Sequence, residues 1–85
     1  MSNIELIDFY ADWCGPCQIM KPIIKEIEKE LKNVKITKIN VDENQKEAQK
    51  YNVMSIPTFV IRKDGKIIDQ LSGVLTKKVL VEKLK

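Results

Sequence analysis

The sequence has no histidine, only two cysteines, and three glycines and three prolines among its 85 residues. Structural zinc wants four Cys or His ligands, so two thiols without histidine could form a metal module only with carboxylates or a second subunit. Covalent haem attachment needs a histidine straight after the second cysteine, and Gln18 stands there. No apolar run approaches the ~20 residues of a membrane span, and no charged-then-apolar leader opens the chain. Neither a G-x-G-x-x-G fingerprint nor a P-loop is present. A membrane location and a bound nicotinamide are therefore not expected. A cytoplasmic location is, a compartment where thiols stay reduced and disulfides tend to be catalytic.

Charge of one sign is also scarce. Fifteen basic residues against twelve acidic leave +3, and the two signs alternate along Lys25, Glu26, Glu28, Lys29 and Glu30. That pattern is a solvated helix face rather than a nucleic-acid stripe. Hydrophobic residues make up 44% and charged residues 32%, a globular balance rather than a disordered one. The length suits one domain, 1–85, near the lower limit for a core without staples. Repeats, linkers and low-complexity stretches are lacking.

What is present is a regular alternation of patterns. Ile4 to Ala11 is nearly all apolar and reads as a strand buried on both faces. Met20, Ile23, Ile24, Ile27 and Leu31 recur at helical spacing, with Pro22 expected to kink that helix. Val34 to Val41 is a second strand. Asp42, with Gln45 three residues on, suggests a capping box for a short helix ending near Tyr51 and Asn52. Thr58 to Arg62 is a third strand, Asp64-Gly65 a two-residue hairpin turn, and Lys66 to Ser72 a fourth strand. Thr76 can cap a last helix that carries Val79, Leu80 and Leu84. The order β-α-β-α-β-β-α predicts an α/β fold, one mixed sheet of four strands with helices on both faces.

Both cysteines lie in one stretch, Phe9-Tyr-Ala-Asp-Trp-Cys-Gly-Pro-Cys-Gln-Ile-Met-Lys-Pro22. A bridge between Cys14 and Cys17 closes almost no loop, so it would be a poor structural staple. A redox centre explains the placement better. Cys14 falls where a buried strand gives way to a helix, facing unpaired N–H groups and the positive end of the helix dipole, which favour thiolate. Cys17, one turn on, is expected to lie deeper, with Cys14 the exposed nucleophile and Cys17 the shielded resolving thiol. Pro16 suits the first helical turn, Gly15 leaves room for a partner chain, and Trp13 offers contact surface beside the nucleophile.

Trp13-Cys14-Gly15-Pro16-Cys17 is also the signature pentapeptide of thioredoxins, and Asp8-Phe9-Tyr10-Ala11 is similar to that family's lead-in. Ile56-Pro57-Thr58 resembles its cis-proline loop and Gly73-Val74 its substrate-facing turn. The resemblance spans essentially the whole chain and implies a minimal thioredoxin fold, with a four-stranded mixed sheet of order 2-1-3-4. It begins at the strand leading into Cys14, without the additional strand and helix that open longer thioredoxins, and Tyr10 replaces a common second tryptophan. The size is closer to glutaredoxins and short archaeal thioredoxin-like proteins, yet glutaredoxins usually carry Pro-Tyr between their cysteines.

The resemblance implies a thiol–disulfide oxidoreductase that reduces protein disulfides through a Cys14–Cys17 couple. It implies that Asp8, buried in a central strand with a raised carboxyl pKa, takes the proton from Cys17. Lys38 on the adjacent strand would accompany Asp8, with a solvent-facing lysine as the alternative. A cis bond at Pro57 would bring the Ile56 backbone opposite Cys14, and Gly73 and Val74 would face substrate. Implied partners are disulfide-bearing proteins and a separate thioredoxin reductase that supplies electrons. No bound cofactor, metal, nucleic acid or membrane is implied, and a monomer is expected. The rivals are a glutathione-coupled glutaredoxin-like enzyme, a cysteine-bridged metal or cluster module, and a redox-inert binding subunit.

Overall fold

Alternation along one apolar strand decides which helix covers which side of the sheet. The computed structural model describes residues 3–85. In strand β1, Ile4–Tyr10, the side chains of Ile4 and Leu6 enter one core and those of Ile7 and Phe9 another. The first core contains Met20, Ile24 and Ile27 of helix α1, Gly15–Glu30, and Leu80 and Leu84 of helix α3, Lys77–Leu84. The second holds Tyr51, packed 5.5 Å from the ring of Phe9, at the end of helix α2, Gln45–Lys50. A strand buried on both faces needs apolar residues at every position, which is why the polar Asp8 stands out in β1.

Strand β2, Val34–Asn40, pairs parallel with β1 after the α1 crossover, and β3, Thr58–Lys63, pairs antiparallel on its other side. Strand β4, Lys66–Ser72, completes the order β2-β1-β3-β4. β1 is thus a central strand, and Asp8 sits between Lys38 of β2 and Phe59 of β3. The β3–β4 turn has φ of +51° at Asp64 and +85° at Gly65, the left-handed pair that matches the twist of a hairpin. Phe9 and Phe59 have no exposed surface, and truncating either should cost about 3–5 kcal/mol.

Two local expectations change. Asp42 does not cap α2: the helix starts at Gln45 with Asn44 before it and no side-chain cap. Asp42 is held instead by its own N–H on Asn40 Oδ1 at 2.9 Å, with its carboxylate used elsewhere. Helix α1 continues as one element through Pro22, with Met20, Ile24 and Ile27 packed into the core. Val79 is partly exposed, leaving Leu80 and Leu84 as the buried face of α3. Thr76 does cap that helix, accepting from the Val79 N–H at 3.2 Å.

Candidate active site

The end of a central strand and the start of a helix bring Cys14 and Cys17 together. Cys14 is the residue before the first turn of α1 and Cys17 lies within that turn, after Gly15 and Pro16, both exposed. The two are joined as a disulfide, with Cα atoms 5.2 Å apart. The Cys17 backbone N–H donates to Cys14 Sγ at 3.2 Å. That bond becomes charge-assisted when Cys14 is a thiolate, and the positive end of the helix dipole acts in the same sense. Cys14 Sγ also sits 3.8 Å from the carbonyl oxygen of Ile56. In the disulfide that sulfur has no proton to give, so only the reduced thiol can donate there.

The expected contrast between an exposed Cys14 and a buried Cys17 is corrected: they are 4% and 7% exposed. Cys14 packs against Ala11 and Cys17, with Tyr10, Val41 and Ile56 around them. Exposure belongs to the flanks, and Trp13 is 71% exposed. Its indole Nε1–H donates to Asp42 Oδ2 at 2.8 Å, which is where the unused carboxylate of the β2–α2 loop goes.

Opposite Cys14, the Ile56–Pro57 peptide is cis. Its loop is tied to the next turn by the Gly73 N–H, which donates to the Pro57 carbonyl at 2.9 Å, and Gly73 adopts φ +90°. Thr58 Oγ1 donates to the Ser55 carbonyl. Val74, after the glycine, is half-exposed. Between Trp13 and Ile56 runs an open groove of about 410 Å³, floored and walled by Val41, Ala48, Val53, Met54 and Ser55. The sequence offered no signal for Val41, Ala48, Val53 or Met54 as surface residues of one groove, because they come from separate loops and the face of α2.

Beneath Cys17 is a smaller hollow of about 100 Å³, bordered by Asp8, Tyr10, Asp12, Gln18, Lys21, Ile24 and Lys38. Burial pushes the Asp8 carboxyl up to about 6, against a smaller opposing pull from the Lys38 ammonium. Lys38 is opposite Asp8 in the strand register, but its Nζ lies 3.3 Å from Glu28 Oε1 at the surface. Its charge is therefore shared between α1 and the hollow. Among the described residues there is no group of three His, Cys, Asp or Glu side chains able to hold a metal. No helix among them is long and apolar enough to cross a membrane.

A C-x-x-C disulfide at a helix start, set on a 2-1-3-4 mixed sheet and facing a cis X-Pro peptide, defines the thiol–disulfide oxidoreductases of the thioredoxin fold. The family model for thioredoxin matches residues 1–85. The chain is 46% identical over 79 residues to the thioredoxin of Chlamydia pneumoniae, covering 93% of this chain and 78% of that one. It is likewise 46% identical over 81 residues to the thioredoxin of Bacillus subtilis, covering 94% and 78%. Among solved structures it resembles a thioredoxin from Fasciola hepatica, with TM-score 0.90 at 40% identity, over 96% of this chain and 78% of that one. A thioredoxin variant from Halobacterium salinarum gives TM-score 0.92 at 36% identity, over 96% and 72%. The chain belongs to the thioredoxin family and is a thiol–disulfide oxidoreductase.

Proposed function

We propose that the protein, acting as a single-domain monomer in the cytoplasm, reduces disulfides of other proteins. The observation that carries this reading is the Cys14–Cys17 disulfide at the start of α1, with the Asp8 carboxyl bordering the same hollow as Cys17. In the dithiol form, Cys14 ionises and its thiolate attacks one sulfur of a substrate disulfide. The other substrate sulfur leaves as thiolate, and a mixed disulfide joins Cys14 to the substrate. Cys17 then gives its proton to ionised Asp8 and attacks Cys14 Sγ, releasing the reduced substrate and closing the Cys14–Cys17 bond. Two electrons have moved to the substrate, so no bound cofactor is needed. A separate reductase, a thioredoxin reductase by family, returns the protein to the dithiol.

Asp8 suits the proton acceptor's part because its pKa of about 6 lies close to working pH, where a general base is most effective. Lys38 tunes it from the neighbouring strand. Trp13, Gly15 and Pro16 would contact the substrate on one side of Cys14, and Ile56, Pro57, Gly73 and Val74 on the other. An extended substrate segment pairing with the Ile56 backbone would be read by main chain rather than by side chains, which fits many clients. Trapping tests the division of labour: Cys17→Ser incubated with a disulfide-bearing protein should accumulate a covalent adduct through Cys14, and Cys14→Ser should accumulate none. Equal adducts with both variants overturn it.

A further inference from the structure

Beside the disulfide the groove carries a second oxidisable sulfur. Met54 is 87% exposed, the most exposed large apolar side chain of the described residues, and it lines the groove with Trp13 and Ile56. The methionine of the core is its opposite: Met20 is 1% exposed, and its Sδ accepts from the Leu75 N–H at 3.4 Å. A thioether reacts with hydroperoxide at a rate set by access, because the lone pair must meet the peroxide oxygen directly. Nothing in the fold hinders that encounter at Met54.

We propose that Met54 is a sulfoxidation site through which peroxide turns down the docking of protein substrates, an inference that rests on the groove being the substrate surface. The step balances simply. The Met54 sulfur attacks one peroxide oxygen, the O–O bond breaks, and hydrogen peroxide leaves as water while methionine becomes sulfoxide. The Cys14–Cys17 bond takes no part in this, since in the disulfide neither sulfur is a thiolate. The product places a strongly polar S=O on the edge of a groove whose other walls, Ser55 apart, are apolar: Trp13, Val41, Ala48, Val53 and Ile56. An apolar substrate segment settling there must then strip water from the sulfoxide and offers it no hydrogen bond in exchange, which opposes binding. The change is slow to form and chemically reversible, unlike the disulfide cycle beside it. A small disulfide that reaches Cys14 without filling the groove should not sense it.

The experiment treats the disulfide form of the protein with hydrogen peroxide, maps the products by peptide mass and measures turnover with a protein disulfide and with a small aromatic disulfide. Trypsin frees Met54 in the segment Tyr51 to Arg62, apart from the other methionines. Met54 should gain oxygen at least about tenfold faster than Met20, whose oxidation must wait for local opening. After Met54 is converted, KM for the protein substrate should rise about threefold or more, one polar group's desolvation, with turnover of the small disulfide unchanged. Met54→Leu, compared with itself before and after peroxide, should show no such rise. Equal oxidation of Met54 and Met20, an unchanged KM after full conversion, or the same rise in Met54→Leu would each overturn the proposal. Absence of reductase turnover before any peroxide is added would instead overturn the proposed function.

Discussion

The hollow bordered by Cys17 and the groove between Trp13 and Ile56, the residues next to and opposite Cys14, are built for different tasks. The hollow is about 100 Å³ and bordered by Asp8, Lys38, Lys21 and Asp12. Its chemistry is protons, and its central feature is a carboxyl raised to about 6 by burial. The groove is about 410 Å³, open, and lined by Trp13, Val53, Met54 and Ile56. It holds no group that could move a proton. A helix terminus alone would make Cys14 reactive, but two thiols one turn apart share that terminus. The difference between the two sides is what can give identical side chains separate roles, one meeting substrate and one exchanging a proton.

The largest effect should come from removing the sulfur on the groove side. Cys14→Ser should reduce turnover of a protein disulfide to about one-thousandth or less, since a hydroxyl is a poor nucleophile at neutral pH. An insulin-precipitation assay reads this. Asp8→Asn should come next, slowing resolution of the mixed disulfide about tenfold at pH 7–8, as measured by stopped-flow. The difference from the parent protein should close below pH about 6, where Asp8 is already protonated and cannot accept. A difference that persists unchanged at pH 5 would assign Asp8 a part other than proton acceptor.

The same substitution should stabilise the fold. A carboxyl with a folded pKa of about 6, against an ordinary value of 3.8, binds its proton more tightly when folded. Stability is then full below pH about 4 and falls as pH rises through 6, by up to ~3 kcal/mol. Asp8→Asn should remove that slope, giving a protein roughly 1–3 kcal/mol more stable at pH 7, by urea unfolding, and no more stable at pH 4.

On the groove side, Trp13→Ala should raise KM for a protein substrate about three- to tenfold with kcat little changed. The smallest effect belongs to Lys38→Gln. It should move the resolution profile to higher pH by less than about one unit, because the lysine pulls Asp8 down while half-exposed and paired with Glu28. A shift to lower pH would contradict the assigned electrostatics.

The proton side was the more legible of the two in the sequence. A carboxylate in the middle of a nearly all-apolar run suggests burial, and the β-α-β order puts that run at the centre of the sheet, where Asp8 and Lys38 fall in register. Asp64-Gly65 and Thr76 were readable because turn and cap chemistry is local. The groove was not legible. Met54, Val53, Ala48 and Val41 carry no motif, and only the folding of the β2–α2 and α2–β3 connections against Trp13 brings them together. The true partner of Asp42 was hidden for the same reason: its carboxylate looked like a local cap and instead receives the indole N–H from 29 positions earlier. The low exposure of Cys14 was not legible either, since its cover comes from Val41 and Ile56, far along the chain.

The central claim is that this couple delivers electrons to other proteins' disulfides, and the equilibrium reduction potential of Cys14–Cys17 tests it most directly. Equilibration against a reference dithiol of known potential, with both redox forms quantified after acid quenching and alkylation, should give about −270 mV, the value of thioredoxin itself carried over by family. A value of about −230 mV or higher falls in the range of glutaredoxins and oxidants and would contradict the account.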